Sequence, residues 1–384
     1  MNNVVWNYPT RIVFGDGSLS SLGDEVQRLA GTRALVVTDP GVVSAGIADQ
    51  VATALKNAGV EHHVFDGIST NPTEAQATAA GDAYKSAGAD VVVGVGGGSA
   101  LDVAKMVRIT ASHSGPLAQY DDAQGGSRKI TQSLPPMVAI PTTAGTGSEV
   151  GRSAVVTLAE TNKKTVFFAP NLIPNVALLD PRLTVSMPAK TTAHTGFDAL
   201  THCVEALCTK MDHPMADAIA KEGIHLVHLY LERAVRQGDD MAARGGMLKA
   251  AMMGAVAFQK GLGACHSLAH PLSAEAGMHH GLANALCLPA VLDFNRSAVP
   301  DKLAAVSRLL GMRIDDEETL AFECSGAVRA LRHSVGIPDG LGAAGVKESM
   351  LERLGDLAFE DACHLENPRP CTRDELLRLY HASF

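Results

Sequence analysis

The chain has 384 residues, of which 46% are hydrophobic and 19% charged, a composition typical of a globular protein long enough for two domains. Its formal net charge of -9 argues against the basic face that nucleic-acid binding requires, so we expect no nucleic-acid partner. No apolar run approaches the roughly 20 residues that span a bilayer, so we expect no membrane association. Seven cysteines without a C-x-x-C pair, and an N-terminus unlike a signal peptide, predict free thiols in a cytoplasmic protein.

The first half of the chain alternates short apolar strands with helical stretches. Strands are predicted at 34–38, 61–65, 91–95 and 137–141, and helices at 44–58, 73–88 and 100–112. This alternation predicts a Rossmann-like α/β domain, in which helices cover both faces of a parallel sheet. Strands that are apolar throughout fit burial inside such a sheet.

The second half is rich in Ala, Leu, Met and His at helical spacing and has no convincing strand. Helices are predicted at 190–209, 213–236, 240–260, 263–276, 300–310, 317–333 and 345–358. The period changes near Pro181 and Pro188, which interrupt regular structure. We therefore predict an α/β dinucleotide-binding domain at 1–184 and an all-α domain at 185–384.

Two loops of the first half have the composition of a nucleotide-binding site. VVVGVGGGSALDVAK (91–105) places glycines between a strand and a helix, where a phosphate can approach the backbone and the helix N–H groups. Ser99 and Asp102 also have the spacing of a capping box. IPTTAGTGSEV (140–150) follows the next strand and is rich in hydroxyls. Two such loops at the ends of neighbouring strands predict a nucleotide crevice, although purely structural turns are the alternative.

An acidic residue marks the end of the first predicted strand of the α/β domain. Asp39 follows that strand directly. A carboxylate in this position can accept hydrogen bonds from the adenosine ribose and repels a 2′-phosphate, which favours NAD over NADP. A turn aspartate before Pro40 is the alternative.

The stretch HTGFDALTHCVEAL (194–207) is typical of a helix. Asp198 and His202 are spaced i, i+4, so both side chains project from one face and could bind a divalent cation together. Two further ligands would be needed. Carboxylate and imidazole suit Fe(II), Zn or Mn, and an open coordination position would make the site catalytic. A surface Asp–His ion pair is the alternative.

A second stretch, GLGACHSLAHPLSAEAGMHHGLAN (261–284), contains four histidines. His266 and His270 are again spaced i, i+4, and we expect His279 and His280 in the turn that follows. Spacing alone leaves open whether His266 acts with His270 or with His280.

These motifs, taken together, resemble those of the iron-containing (group III) alcohol dehydrogenases. The matching segments are FGDG (14–17), VVTDPGV (36–42), NPT (71–73), GGGSALDVAK (96–105), PTTAGTGSEV (141–150), DP (180–181), GFDALTHCVEA (196–206) and GLGACHSLAHPLSAEAGMHHGLANALCLP (261–289). The resemblance implies a dehydroquinate synthase-like architecture. It also implies a metal-dependent, NAD-linked alcohol dehydrogenase or aldehyde reductase, with a small alcohol or aldehyde as substrate.

The resemblance also assigns residues. It implies that Fe(II), or Zn(II), is bound by Asp198, His202, His266 and His280, with His270 acting catalytically beside the substrate. The residues expected to bind NAD are Asp39, Asn71, Gly97, Gly98, Ser99, Asp102, Thr142, Thr143, Ser148 and Lys164. A divalent cation in such a site makes an alcohol lose its proton more readily, and the resulting alkoxide can transfer hydride to C4 of NAD.

Two departures from the family pattern bear on the substrate. Gly151-Arg152 follows SEV, and Phe258-Gln259-Lys260 precedes GLGACH. We hypothesise that Arg152 or Lys260, with Phe258 nearby, recognises an anionic substrate such as an ω-hydroxy acid or its semialdehyde. Structural cations are the alternative, and with them a short-chain primary alcohol or a diol as substrate.

Other functions remain open at this point. A glycerol-dehydrogenase-like polyol oxidoreductase would share the fold. A zinc hydrolase would need a glutamate after His266, where Ser267 stands. A non-catalytic metal- or nucleotide-binding protein would bind cofactor without turnover. We expect a homodimer or higher homo-oligomer, in which a strand at 4–15 pairs between copies.

Overall fold

The computed structural model describes residues 10–131, 133–161 and 163–384. The chain divides into two compact units. One is an α/β unit that continues to Thr143 and includes Gly147–Ser186. The other is a helical unit that contains Ala144–Thr146 and Met187–Phe384. Within the described residues, no helix is both long and apolar enough to cross a membrane.

A six-stranded parallel sheet forms the centre of the α/β unit and confirms the predicted fold class. Its strands are β1 (Arg11–Phe14), β2 (Arg33–Val37), β3 (Glu61–Phe65), β4 (Val91–Gly96), β5 (Met137–Pro141) and β8 (Val176–Leu179). Their order is β1-β8-β5-β4-β2-β3. Two further strands, β6 (Ser153–Thr157) and β7 (Lys164–Phe168), form a separate antiparallel ribbon.

The edge strand β1 lies in the segment 4–15, for which we predicted a strand that pairs between copies of the chain. Arg11 pairs with Val176 and Phe14 with Leu179, so the described part of the 4–15 segment adds a strand to its own sheet. The other part of that segment, residues 4–9, lies outside the described residues.

In the described part of the α/β unit, five α-helices accompany the sheet. They are α1 (Leu22–Arg28), α2 (Pro40–Ser44), α3 (Ile47–Asn57), α4 (Glu74–Ser86) and α5 (Gly98–Ser112). Successive side chains of one strand enter different apolar clusters: Val36 packs in the cluster with Leu55 of α3, and Leu35 in the cluster with Leu101 of α5. Because both faces are covered, the inner strands β4, β5 and β8 are apolar and buried at every position. The helix predicted at 44–58 corresponds to α3, which begins only after Gly46 adopts a φ of 72°, whereas the short helix α2 before it was not predicted.

The helical unit contains ten α-helices within the described residues. They are α6 (Ala189–Cys208), α7 (Pro214–Arg236), α8 (Met241–Ala257), α9 (Ala264–Glu275), α10 (His280–Asn295), α11 (Pro300–Leu309), α12 (Glu317–Phe322), α13 (Cys324–Ser334), α14 (Leu351–Glu360) and α15 (Arg373–Ala382). The sequence did not predict α10 or α15, and the helix predicted at 317–333 is divided into α12 and α13. Helix α10 is apolar around most of its circumference and therefore has no amphipathic stripe by which to recognise it.

Helix α6 is the buried centre of this unit, and two glycines let its neighbours approach it closely. A Cβ atom on Gly254 of α8 would lie 2.9 Å from the Cβ of His202. A Cβ atom on Gly281 of α10 would lie 2.0 Å from the carbonyl oxygen of His194. Since real Cβ atoms do not approach a backbone oxygen so closely, the contact between α6 and α10 requires glycine at position 281.

We therefore expect Gly281→Ala to destabilise the helical unit by about 1–3 kcal/mol, the usual cost of overpacking. The added methyl group has to displace backbone, because the nearest atom is a carbonyl oxygen. Thermal unfolding followed by circular dichroism measures the effect. Gly326→Ala is the matched control, since its Cβ would first meet the carboxylate of Glu323 at 3.3 Å, and alanine favours a helix. Equal melting temperatures for the two variants would contradict the proposed constraint.

Candidate active site

Two predicted metal ligands lie one turn apart on α6. Asp198 is 3% exposed and His202 is 5% exposed. The Nε2 atom of His202 is 3.9 Å from Oδ1 of Asp198. The helical spacing of the sequence thus brings a carboxylate and an imidazole to the same buried point.

Two other helices bring histidines to this point. The ring of His266, on α9, stacks on the ring of His202 with a centroid separation of 4.8 Å. The Nε2 atom of His280 lies 3.4 Å from Oδ1 of Asp198. Ligand atoms of Asp198, His202 and His266 all lie within 4.8 Å of one another, which makes these three a candidate metal site. His280, next to Asp198, is a fourth potential ligand of this site.

The placement of His279 and His280 corrects one expectation. His280 does not lie in a turn but is the first residue of α10. His279 is the cap of that helix, and its Nδ1 atom accepts a hydrogen bond from the Gly281 N–H at 3.2 Å. The two adjacent histidines therefore have different neighbours. The ring of His279 lies 5.0 Å from the ring of His194, whereas His280 lies beside Asp198.

The protonation of this cluster suits a divalent cation. Burial lowers the pKa of His202 to about 4, although the charge of Asp198 acts in the opposite direction. Burial also holds the pKa of His280 well below its usual value, again against the effect of Asp198. Both imidazoles are therefore neutral at pH 7 and offer a lone pair. One carboxylate with neutral imidazoles is a donor set that Fe(II) and Zn(II) accept.

A buried glutamate, which the sequence did not reveal, orients His266. The Nδ1 atom of His266 lies 2.6 Å from Oε2 of Glu205, and Oε1 of Glu205 accepts the N–H of Cys265 at 2.7 Å. Because a carboxylate only accepts, this hydrogen bond assigns the proton to Nδ1 and leaves the Nε2 lone pair for a metal. Burial acts to lower the pKa of His266, but the hydrogen bond and charge of Glu205 raise it overall. The available signal was an acidic residue three positions after His202, between the apolar residues Val204 and Ala206.

A buried amide orients Asp198 in the same way. The Nδ2 atom of Asn284, on α10, donates to Oδ1 of Asp198 at 2.9 Å. The same nitrogen lies 3.4 Å from Nε2 of His266 and 3.3 Å from Nε2 of His280. The i, i+4 spacing of His280 and Asn284 was the available signal, but α10 itself was not predicted.

His270 lies beside this cluster and is more exposed than its members. Its ring stacks on that of His280 at a centroid separation of 5.3 Å, and its side chain is 39% exposed. Its Nδ1 atom hydrogen-bonds to Oδ2 of Asp361 at 2.8 Å, while Oδ1 of Asp361 accepts from Ser267 Oγ at 2.8 Å. Burial acts to raise the pKa of Asp361, but the hydrogen bond with His270 holds it well below its usual range. The Nε2 atom of His270 is therefore the one available for proton exchange.

The two substrate candidates before α9 differ in their surroundings. The ring of Phe258 packs against that of His202, with centroids 5.0 Å apart. Lys260 is 0% exposed, and its ammonium forms an ion pair with Asp217. The hypothesis that Lys260 recognises the substrate is therefore wrong, because its charge is buried and already paired.

The two predicted nucleotide loops lie next to each other in the α/β unit. Gly96 pairs with Pro141 at the carboxyl ends of β4 and β5, and the N–H of Thr142 donates to the Gly96 carbonyl at 3.0 Å. A Cβ atom on Gly97 would lie 3.4 Å from the side chain of Thr143. The two loops that the sequence singles out therefore lie side by side at this edge of the sheet.

The start of α5 differs from the predicted capping box. Gly97 is the N-terminal cap, Gly98 is the first helical residue, and no side chain caps the helix. Ser99 instead donates its hydroxyl to the carbonyl of Thr70 at 2.6 Å. The first N–H groups of α5 therefore have no side-chain cap, which leaves them available to a phosphate.

A buried polar network lies beneath this turn. Asp102 accepts hydrogen bonds from Ser148 Oγ at 2.8 Å and from the Val155 N–H at 3.1 Å. Lys105, which the sequence did not reveal, donates to Ser148 Oγ and to the Ser153 carbonyl, both at 2.7 Å. Burial lowers the pKa of Lys105 to about 8. Through these hydrogen bonds Asp102 and Ser148 support the loop from beneath.

Three further residues predicted to bind the cofactor, Asp39, Asn71 and Lys164, also belong to the α/β unit. Oδ1 of Asp39 caps α2 by accepting from the N–H groups of Gly41 and Val42. Its other oxygen would lie 3.1 Å from a Cβ atom on Gly96, beside the glycine turn. Asn71 precedes α4, and its carbonyl accepts from Ser69. Lys164 begins β7, opposite Thr157.

Both units match families of known proteins. Residues 9–181 match the family described as iron-containing alcohol dehydrogenase. Residues 192–384 match the C-terminal part of the Fe-containing alcohol dehydrogenase family. These matches confirm the resemblance seen in the motifs.

Individual relatives are similar over their whole length. The chain is 41% identical over 385 residues to a 4-hydroxybutyrate dehydrogenase from Cupriavidus necator, with 98% of each chain covered. It is 38% identical over 376 residues to a 1,3-propanediol dehydrogenase from Klebsiella pneumoniae, which covers 97% of this chain and 96% of the relative. The crystal structure of a 1,3-propanediol oxidoreductase matches with a TM-score of 0.96 at 36% identity, covering 99% of this chain and 100% of that one.

The hydrogen bond between Glu205 and His266 generates a prediction about metal affinity. We expect Glu205→Gln to weaken divalent metal binding by about 10–100-fold, the usual effect of losing a partner that orients a ligand histidine. Competition of Zn(II) with a chelator of known affinity, with bound metal measured by mass spectrometry, tests this without reference to activity. Glu222→Gln, at an exposed position of α7, is the matched control. A Glu205→Gln protein that holds zinc as tightly as the control would rule out the orienting role.

Proposed function

This chain belongs to the iron-containing alcohol dehydrogenase family, and from that premise we propose that it interconverts a short ω-hydroxy acid and its semialdehyde. It is an NAD-dependent oxidoreductase that acts on alcohols. The convergence of Asp198, His202, His266 and His280 carries the proposal of a metal-dependent reaction. The similarity to a 4-hydroxybutyrate dehydrogenase supports the substrate class.

The metal ion, Fe(II) or Zn(II), would be held by the four residues of that cluster. When bound, it supplies a Lewis acid that lowers the pKa of the substrate hydroxyl. Glu205 and Asn284 hold His266 and Asp198 in the orientation that this requires. Asp198, His202 and His266 are buried from water, whereas the side chains of His280 and His270 are 30% and 39% exposed.

His270 is the residue that we propose to move the proton. Oxidation of a primary alcohol to an aldehyde releases a hydride to C4 of the nicotinamide and a proton from the hydroxyl. Asp361 fixes the Nδ1 proton of His270, so Nε2 is free to accept the hydroxyl proton and pass it to water. In the direction of aldehyde reduction, the same atom returns the proton.

NAD would occupy the crevice of the α/β unit. The uncapped N–H groups of α5 after Gly97, with Gly98 and Ser99, suit the pyrophosphate. We assign Asp39 to the adenosine ribose and Asn71 to the adenine end of the cofactor. The side assigned to the nicotinamide comprises Thr142, Thr143 and Lys164, with Ser148 and Asp102 supporting the loop from beneath.

Arg152 is the cation that remains for the carboxylate of the substrate. Its guanidinium lies over the ring of Phe168, 5.4 Å from the centroid, and has no ion-pair partner among the described residues. A guanidinium that packs on an aromatic ring and has no ion-pair partner can bind a carboxylate through two parallel hydrogen bonds. Phe258, against His202, would contact the alkyl chain. The propanediol relatives favour a 1,3-diol as the second candidate, for which Arg152 would have no anionic group to bind.

A substrate panel separates the two candidates. We expect kcat/KM for 4-hydroxybutyrate with NAD to exceed that for 1-butanol and 1,3-propanediol by at least about tenfold, the equivalent of one charge-assisted hydrogen bond. The assay follows NADH absorbance with protein loaded with Fe(II) and, separately, with Zn(II). A preference for 1,3-propanediol would replace the hydroxy acid with the diol and leave the family assignment unchanged.

The role of Arg152 has its own test. We expect Arg152→Gln to raise KM for 4-hydroxybutyrate about tenfold while kcat and the kinetics of 1-butanol stay close to those of the parent, because only the anionic substrate loses a partner. Arg128→Gln, at an exposed position of the same unit, is the control. Equal losses for the acid and the neutral alcohol would show that Arg152 has a structural role instead.

A further inference from the structure

A cavity of about 400 Å³ lies wholly within the helical unit, outside the candidate metal site. It is bounded by the first turn of α6, by residues 276–279 with the start of α10, and by residues 344–346. This volume lies near the lower end of the range for small-molecule pockets. None of the described residues that line it is acidic.

The cavity and the metal cluster share no residue, although both involve α6 and the start of α10. At Gly281 the backbone of α10 meets α6, where an added Cβ would lie 2.0 Å from the carbonyl oxygen of His194 and 3.3 Å from the Cβ of Asp198. His280 joins the metal cluster. His194 and His279 instead line the cavity. None of the four proposed metal ligands lines the cavity, nor does His270.

One wall of the cavity is positively charged and rich in donors. Lys190 and Thr191, in the first turn of α6, both line it. Helix α6 has 20 residues, and its cap, Pro188, provides no side-chain hydrogen bond, so its first N–H groups and the positive end of its dipole are not neutralised by a cap. An ammonium group beside an uncapped helix N-terminus is an environment that attracts anions.

A buried imidazole in the same wall lacks a partner. His194 is only 5% exposed, lines the cavity, and has no hydrogen bond to any described residue. Its ring lies 5.0 Å from that of His279, which also lines the cavity. Buried polar groups are almost always hydrogen-bonded, so an imidazole left with none at the wall of a cavity indicates a ligand that supplies an acceptor.

The other side chains that line the cavity are mostly apolar. They are Met278, Leu282 and Val346, together with the small residues Ala276 and Ala344. A ligand that suits both the donors and the apolar side chains has one anionic end and a short hydrocarbon part. A single ammonium group, Lys190, calls for a single negative charge.

We propose that this cavity is a second binding site, which takes a short-chain monocarboxylate. The carboxylate contacts Lys190, the first N–H groups of α6 and His194, and the alkyl chain packs on Met278, Leu282 and Val346. This site is independent of the metal and of the substrate specificity proposed above, because a different set of residues forms it.

The test measures butyrate binding to the metal-loaded protein with NAD by isothermal titration calorimetry. We expect butyrate to bind with a millimolar Kd, and the uncharged isostere butyramide to bind much more weakly. Lys190→Gln should weaken butyrate binding about fivefold or more, since it removes the charge-assisted contact. The control Lys221→Gln, at an exposed position of α7, should leave binding unchanged. His194→Ala should also weaken it, and Lys190→Gln should leave turnover of 1-butanol unchanged.

Arg152→Gln distinguishes this site from the substrate site. Butyrate binding that survives Arg152→Gln and is lost in Lys190→Gln supports the cavity. The reverse pattern would place the carboxylate in the substrate site and overturn the proposal. It is equally overturned if butyramide binds as tightly as butyrate, or if no binding is seen at about 50 mM, well above the Kd expected of so small a ligand.

Discussion

The helical unit depends on the burial of one carboxylate, that of Asp198. A charged group that is 3% exposed costs several kcal/mol unless polar partners compensate it. Its partners come from two helices, since His202 lies on α6 and both Asn284 and His280 lie on α10. The close packing of α10 against α6 at Gly281 is therefore the condition on which the cluster rests.

The rest of the cluster follows from the same electrostatic constraint. Glu205 is a second buried carboxylate, and it is satisfied by the Cys265 N–H and by His266. The lowered pKa values of His202 and His280 keep both imidazoles neutral, so the cluster with Glu205 has the negative charge that a divalent cation balances. The α/β unit also compensates buried charges, beneath its glycine turn. There Lys105 donates a hydrogen bond to Ser148, and Ser148 donates one to Asp102.

Local sequence patterns predicted much of this architecture and missed elements that lack a local signature. The predicted strands match β2 to β5 to within one residue at each end, and β4 and β5 are recognisable because strands buried on both faces have few polar positions. The inner strand β8 and the ribbon of β6 and β7 went unpredicted, since short strands owe their structure to their partners. Helix α10 was missed because a helix buried on most sides has no polar face.

The sequence by itself determined which residues share a face of one helix and to which family the chain belongs. Helical periodicity put Asp198 and His202 on one face, and the motifs in chain order identified the family. Only the tertiary structure decided what depends on distant segments meeting. It showed that His280 begins a helix and lies 3.4 Å from Asp198, that Glu205 and Asp361 hold His266 and His270, and that Lys260 is buried against Asp217. Spacing reports only on neighbours within a helix or strand, whereas burial and the partner of a charge are properties of the packed chain.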